Sequence, residues 1–142
     1  MKKILVILTI LTVIPFVSAQ NTSQELCDYL TEQVSEPQQI PSYIPYSNEH
    51  IQIETTNDVS VGHAVLEDKQ ARFVNCSSSK NKTYTVQIEN VDTIETILSS
   101  NNPQQSFEEA KQNNSLVIRG ETAWKRTKLS ALNIVMTVYN WF

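Results

Sequence analysis

The sequence predicts an α+β domain, with about five strands in a mostly antiparallel sheet and helices covering one face. Three observations carry that reading. Four runs between His50 and Glu89 alternate or are rich in β-branched residues, as half-buried strands do. After Asp92 the apolar spacing changes to three and four, the period of a helix facing a core. Strands come first as a block and helices follow, so nothing demands the strand–helix–strand alternation of a parallel sheet.

The chain divides into an export signal at 1–19, an N-terminal helix with a proline-containing strap at 20–47, and the α+β domain at 48–142. Lys2 and Lys3 form a positive start, Ile4 to Val17 is apolar apart from Thr9, Thr12 and Pro15, and Val17-Ser18-Ala19 offers small residues for cleavage before Gln20. The competing reading is an uncleaved anchor. Its 14 apolar-rich residues fall short of the ~20 that span a hydrocarbon core. Thr22 to Ser35 then reads as a helix, with Thr22 and Glu25 as a capping box and Leu26, Leu30 and Val34 on one stripe. Pro37, Pro41 and Pro45 forbid regular structure through Tyr46, and the apolar Ile40 to Tyr46 is expected to lie across the domain as a strap.

Strands are expected at His50 to Glu54, Val59 to Leu66, Ala71 to Cys76 and Thr83 to Glu89, with Ser77 to Lys82 as a polar hairpin tip between the last two. Asp92 is expected to cap a helix over Thr93 to Ser100, in which Ile94, Ile97 and Leu98 share a face. Asn102-Pro103 opens a second helix carrying Phe107 and Ala110. Leu116 to Arg119 is a fifth strand ended by Gly120, and Thr122 or Ala123 to Phe142 is helical again.

Composition excludes several function classes. The 123 residues after Ala19 hold nine basic and fifteen acidic side chains, a net of −6, which is unsuited to general nucleic-acid binding. Only Gly62 and Gly120 are present, so there is no phosphate-cradling glycine loop. Outside the membrane Cys27 and Cys76 are free to pair, and a bridge would close a loop of about 50 residues; the alternative is two unpaired thiols. Asn21, Asn81 and Asn113 head glycosylation sequons, and Asn75 heads a fourth that competes with a bridge at Cys76.

Four consecutive pieces carry a family resemblance: Tyr84-Thr-Val-Gln-Ile, Asp92-Thr-Ile-Glu-Thr-Ile-Leu, Asn102-Pro-Gln-Gln-Ser-Phe-Glu-Glu-Ala and Leu116-Val-Ile-Arg-Gly. In order and spacing they resemble the sterol carrier protein-2 domain over Tyr84 to Glu121. The resemblance implies a five-stranded sheet with helices on one face, an apolar tunnel for acyl chains or sterols, and no catalytic residues. Ile97, Leu98, Phe107, Leu132, Val135, Met136 and Tyr139 are the expected lining, each equally able to serve as plain core. The family's loops usually carry several glycines, which this chain lacks.

No constellation points to catalysis, a metal or a cofactor. His50 and His63 lack ligand spacing with either cysteine, and Glu108 and Glu109 diverge on a helix. Toward the C-terminus, Trp124, Lys125, Arg126 and Lys128 form a basic collar before an apolar stretch that ends in Trp141 and Phe142. The collar suits peripheral contact with an anionic membrane, against the plainer reading of a core helix with a solvated stem. The terminal aromatics are expected to pack on the Pro41–Pro45 strap near Tyr43 or Tyr46. The sequence therefore predicts an exported carrier of an apolar lipid, with a closed-core structural or adhesive envelope protein as the alternative.

Overall fold

A computed structural model describes residues 21–33, 36–39 and 48–126 of the chain. The export signal, Val34, most of the strap, Lys128, and Leu132, Val135, Met136, Tyr139, Trp141 and Phe142 lie outside those residues. The described chain is α+β. Helix α1 covers residues 21–33. It is followed by strands β1 (Gln38–Gln39), β2 (Glu49–Thr55), β3 (Ser60–Glu67), β4 (Gln70–Asn75) and β5 (Tyr84–Ile88). Helices α2 (Val91–Ser99) and α3 (Pro103–Gln112) then precede strand β6 (Leu116–Gly120). One sheet holds all six strands in the order β1-β4-β3-β2-β5-β6. The five longer strands are those expected. The sixth, β1, comes from the proline-containing segment, where Gln38 and Gln39 pair with Ala71 and Gln70. Pro37 precedes this edge strand rather than sits in it, so it removes no ladder donor.

Two capping expectations are corrected. Asn21 is already helical, so Thr22 lies inside α1 rather than at its cap. Helix α2 begins earlier in the chain than expected: Asn90 is extended, and its Oδ1 accepts the Thr93 N–H at 3.0 Å. Asp92 sits in the first turn instead, where its charge complements the positive end of the helix. Asn102 and Pro103 do start α3 as their types require, with Asn102 Oδ1 accepting from Gln105 N at 3.3 Å.

The larger correction concerns Ser77 to Lys82, which is not a hairpin tip. Strand β5 pairs with β2, in parallel, from Ile51↔Tyr84 to Thr55↔Ile88, while every other pairing is antiparallel. The chain leaving β4 therefore crosses β3 and β2 to reach the far side of β2. Its polar atoms go into the crossing: Ser77 O meets His63 Nδ1 at 2.8 Å, Ser79 N donates to Gln52 Oε1 at 2.7 Å, and Thr83 N donates to His50 O at 2.7 Å. A run of serines and lysines looks like a solvated turn, but here its donors satisfy the sheet it crosses.

The sheet thus has two unlike faces. On one, Ile51, Ile53, Val86, Ile88, Leu116, Ile118, Ala64 and Phe73 join a core built with Leu26, Leu30, Ile94, Ile97, Phe107 and Ala110 from the helices. Burying such side chains contributes about 1.5–3 kcal/mol each. On the other, Gln52, Thr85 and Gln87 are buried, Gln52 against the crossing, Thr85 against Glu121 and Gln87 against Asp58. Cys27 of α1 is joined to Cys76, just beyond β4, in a disulfide with Cα atoms 5.7 Å apart. The bridge ties the helix layer to the point where the chain turns onto the opposite face.

Gly62 is required by close approach rather than by its dihedrals. A Cβ there would meet Asn75 O at 2.5 Å and the Phe73 ring at 2.6 Å. The aromatic ring of β4 lies where β3 has no side chain, and the backbone carbonyl cannot retreat without loosening the β3–β4 ladder. Gly62→Ala is expected to destabilise the domain by about 1–3 kcal/mol, the range for overpacking. An unchanged denaturation midpoint in urea would contradict this close packing.

Candidate functional site

The helix-covered face is the part of the molecule suited to an apolar ligand, and strand register sets out its surface in rows. One row runs Gly62, Ile53, Val86 and Ile118 across β3, β2, β5 and β6. A second runs Ala64, Ile51, Tyr84 and Gly120, and a third places Thr55, Ile88 and Leu116 together. Beneath α2 and α3 the third row is closed: Ile88, Leu116, Ile97 and Phe107 are all buried. In the first two rows Ile51, Val86 and Ile118 are only partly buried, as are Tyr29, Val91 and Leu98 around the same cluster. The apolar face is therefore unevenly covered: Ile51, Val86 and Ile118 are half-buried, while Ile53, Tyr84, Ile88 and Leu116 among them are buried.

Of the expected lining residues, Ile97, Leu98 and Phe107 do come together in this cluster. The local reasons are simple. Ile94, Ile97 and Leu98 follow the 3.6-residue period of α2 inward, and Asn90 fixes where that period starts. Phe107 projects from the second turn of α3, whose start Pro103 sets.

A charged group that sequence reasoning missed is buried at the end of the face beside Gly120. Glu49 opens β2 on the same face as Ile51 and Ile53, and its side chain is only 2 % exposed. Lys125 Nζ donates to both carboxylate oxygens, at 2.7 and 2.6 Å. The same ammonium lies 5.4 Å from the centre of the Tyr84 ring, within cation–π range. A buried carboxylate needs such a partner because taking a lone charge out of water costs several kcal/mol. The only sequence signal was a charged residue at the edge of a strand-like run, which ordinarily reads as solvated.

This geometry corrects the basic collar. Lys125 is turned inward to Glu49, so it does not belong to a cationic surface. Trp124 is 70 % exposed and Arg126 is exposed beside it. At β2 and β5 the opposite face of the sheet is polar. Gln52 Nε2 donates to Ser60 Oγ at 2.9 Å and to the carbonyls of Ile53 and Gly62 at 3.1 and 3.2 Å. Gln87 donates to Asp58, Thr85 to Glu121, and Lys82 lies 3.8 Å from both Glu54 and Glu121.

The remaining candidates are accounted for. His63 contacts Ser77 O, and the His50 backbone meets Thr83. No group of His, Cys, Asp and Glu among the described residues is placed to hold a metal ion. Tyr29 titrates above the usual tyrosine range because burial disfavours the phenolate, aided by Glu95 and Glu32. Asn21, Asn81 and Asn113 are exposed. The Asn75 side chain is engaged, its Oδ1 accepting from Ser77 N at 2.9 Å beside the disulfide.

No protein-family model matches the chain, and no curated protein matches it in sequence. Among solved structures it is similar to one described as a UbiJ-SCP2 ubiquinone synthesis protein. The two are 12 % identical over 90 % of this chain and 98 % of that one, with a TM-score of 0.40. The α+β arrangement described above stands on this chain's own strands and helices.

Proposed function

We propose that this protein is an exported carrier of an apolar ligand, an acyl chain or sterol-like molecule, held against the helix-covered face of its sheet. The observation that carries the reading is the uneven cover of that face. Ile53, Ile88 and Leu116 are buried, but Ile51, Val86 and Ile118 are half-covered in adjacent rows. A hydrocarbon laid along those rows would gain about 0.8 kcal/mol for each methylene withdrawn from water. It would need no polar partner beyond one group at its end, and Glu49 and Lys125 lie next to the row of Ile51 and Tyr84.

Export is supported by the positive and apolar start of the sequence and by the Cys27–Cys76 disulfide, since such bonds persist in oxidising compartments. The exposed Asn21, Asn81 and Asn113 suit glycosylation there. Trp124 and Arg126 are the described residues best placed for peripheral contact with an anionic membrane. Nothing in this reading assigns catalysis.

Native mass spectrometry and organic extraction of the mature protein test it, with an N-terminus at Gln20 as the accompanying check on export. The expected result is co-purified lipid, or saturable binding of a fluorescent acyl probe that a non-fluorescent fatty acid displaces. A protein that carries no lipid and binds no probe is a closed-core structural module instead.

A further inference from the structure

We propose that Glu49 and Lys125 select the ligand by its polar end, taking a neutral oxygen acceptor such as an ester or an alcohol in preference to a carboxylate. The inference rests on the carrier reading above and gives the ion pair a role within it.

The pair stands beside the half-covered part of the apolar face. Glu49 and Ile51 are two apart on β2 and so project on the same side of the sheet. Ile51 is half-buried and lies opposite Tyr84 in the β2–β5 register. Lys125 Nζ is 5.4 Å from the centre of the Tyr84 ring, so the ammonium, the ring and Ile51 are neighbours. The two members of the pair are unequally reachable. The Glu49 side chain is 2 % exposed and that of Lys125 is 22 % exposed. A ligand lying over Ile51 meets the ammonium, not the carboxylate.

The bonds already made decide what that ammonium can take. Two of its three N–H groups go to the two oxygens of Glu49, at 2.7 and 2.6 Å. No described residue accepts the third, which is left for an oxygen of the ligand. Glu49 also cancels the positive charge at this point. A carboxylate leaving its water needs an uncompensated cation to replace it. Here the attraction of Lys125 is opposed by the repulsion of Glu49 directly behind it. A neutral oxygen loses far less hydration, and one hydrogen bond from a charged donor replaces what it loses. The hydrocarbon does not discriminate, because an acid, its ester and its alcohol of one chain length withdraw nearly the same methylenes from water. Choice between them falls to the polar end.

Displacement of a fluorescent acyl-ester probe from the mature protein tests the selection. The competitors are an acid, its methyl ester, the alcohol and the alkane of one chain length, at a pH above the range in which carboxylic acids titrate. The unaltered protein is expected to bind the ester and the alcohol at least about tenfold more tightly than the acid. Glu49→Gln leaves the charge of Lys125 without its counter-charge and is expected to reverse that order. Glu49→Met with Lys125→Met replaces the pair by apolar side chains of similar length, a change that buried pairs commonly tolerate. This double variant is expected to bind the ester and the alkane within about twofold of each other, and it decides the case if Glu49→Gln does not fold. An acid that binds the unaltered protein as tightly as its ester overturns the selection and leaves the carrier reading in place. So does an order of preference that a folded variant leaves unchanged. Failure of all four compounds to displace or bind overturns the carrier reading itself, and the selection with it.

Discussion

Replacing both Cys27 and Cys76 with alanine will lower the stability of the mature domain by about 4 kcal/mol. The two residues are 49 apart in sequence, and closing a loop of that length restricts the unfolded chain by this amount in the chain-entropy model. The folded geometry offers little to oppose the gain, since Cα atoms 5.7 Å apart lie within the ordinary range for a disulfide. Helix α1 also depends on the bond indirectly. It contributes Leu26 and Leu30 to the core, and among the described residues that follow it Gln38 and Gln39 pair with the edge of the sheet. A loss of about 4 kcal/mol is a large share of the roughly 5–15 kcal/mol typical of a domain. Urea unfolding of the oxidised protein against the double variant checks it, and equal midpoints would show that α1 is held by packing alone.

Phe107→Ala is the single substitution of largest expected effect, about 3–5 kcal/mol. The ring is 2 % exposed and sits where α3 meets α2 and the sheet. Its removal deletes contacts on all sides, and neither the proline-started α3 nor the sheet can collapse far to fill the space. The measurement bears on function as well as stability. A carrier whose ligand reaches the closed third row would bind a longer acyl chain in Phe107→Ala, and ligand would recover part of the lost stability by mass action. Thermal unfolding with and without fatty acids of increasing length checks both outcomes. A loss below about 1 kcal/mol would mean that Phe107 lines a space already open.

The features legible in the sequence were local, and those that escaped it concern pairing. The strand runs, the Asn102-Pro103 start of α3, and Phe107 and Ile97 as core follow from period and cap chemistry, which act over a few residues. Partner choice does not. Nothing in Tyr84–Ile88 distinguishes pairing with the preceding β4 from pairing with β2, and the polar Ser77–Lys82 stretch suits a hairpin tip as well as a crossing. The buried Gln52 and Gln87 escaped notice for the same reason. They alternate with apolar residues as outward-facing positions do, and only the crossing chain and Asp58 bury them. Asn90 and Asp92 are both capable caps, and an offset of about two residues lies below what composition resolves. Glu49 required knowledge of where residue 125 ends up, a long-range fact by nature.

The parallel pairing of β2 with β5 also bears on how the chain reaches its fold. Strands β2, β3 and β4 are joined by short turns, so this meander can assemble from neighbouring residues alone. The β5–α2–α3–β6 unit is local in the same sense, with β5 and β6 linked through two helices. The seam between the units is different. It brings His50 against Thr83, 33 residues away, and it can form only once the chain beyond β4 has been laid across the meander. Closing that loop costs entropy before the seam returns any contacts, the circumstance that slows folding in proteins rich in distant pairings. Formation of the β2–β5 seam is therefore the expected rate-limiting event, which the refolding and unfolding rates of variants measured against urea check. Mutations in the crossing, such as at Ser79, will slow folding more than they hasten unfolding, whereas mutations within either hairpin turn will not.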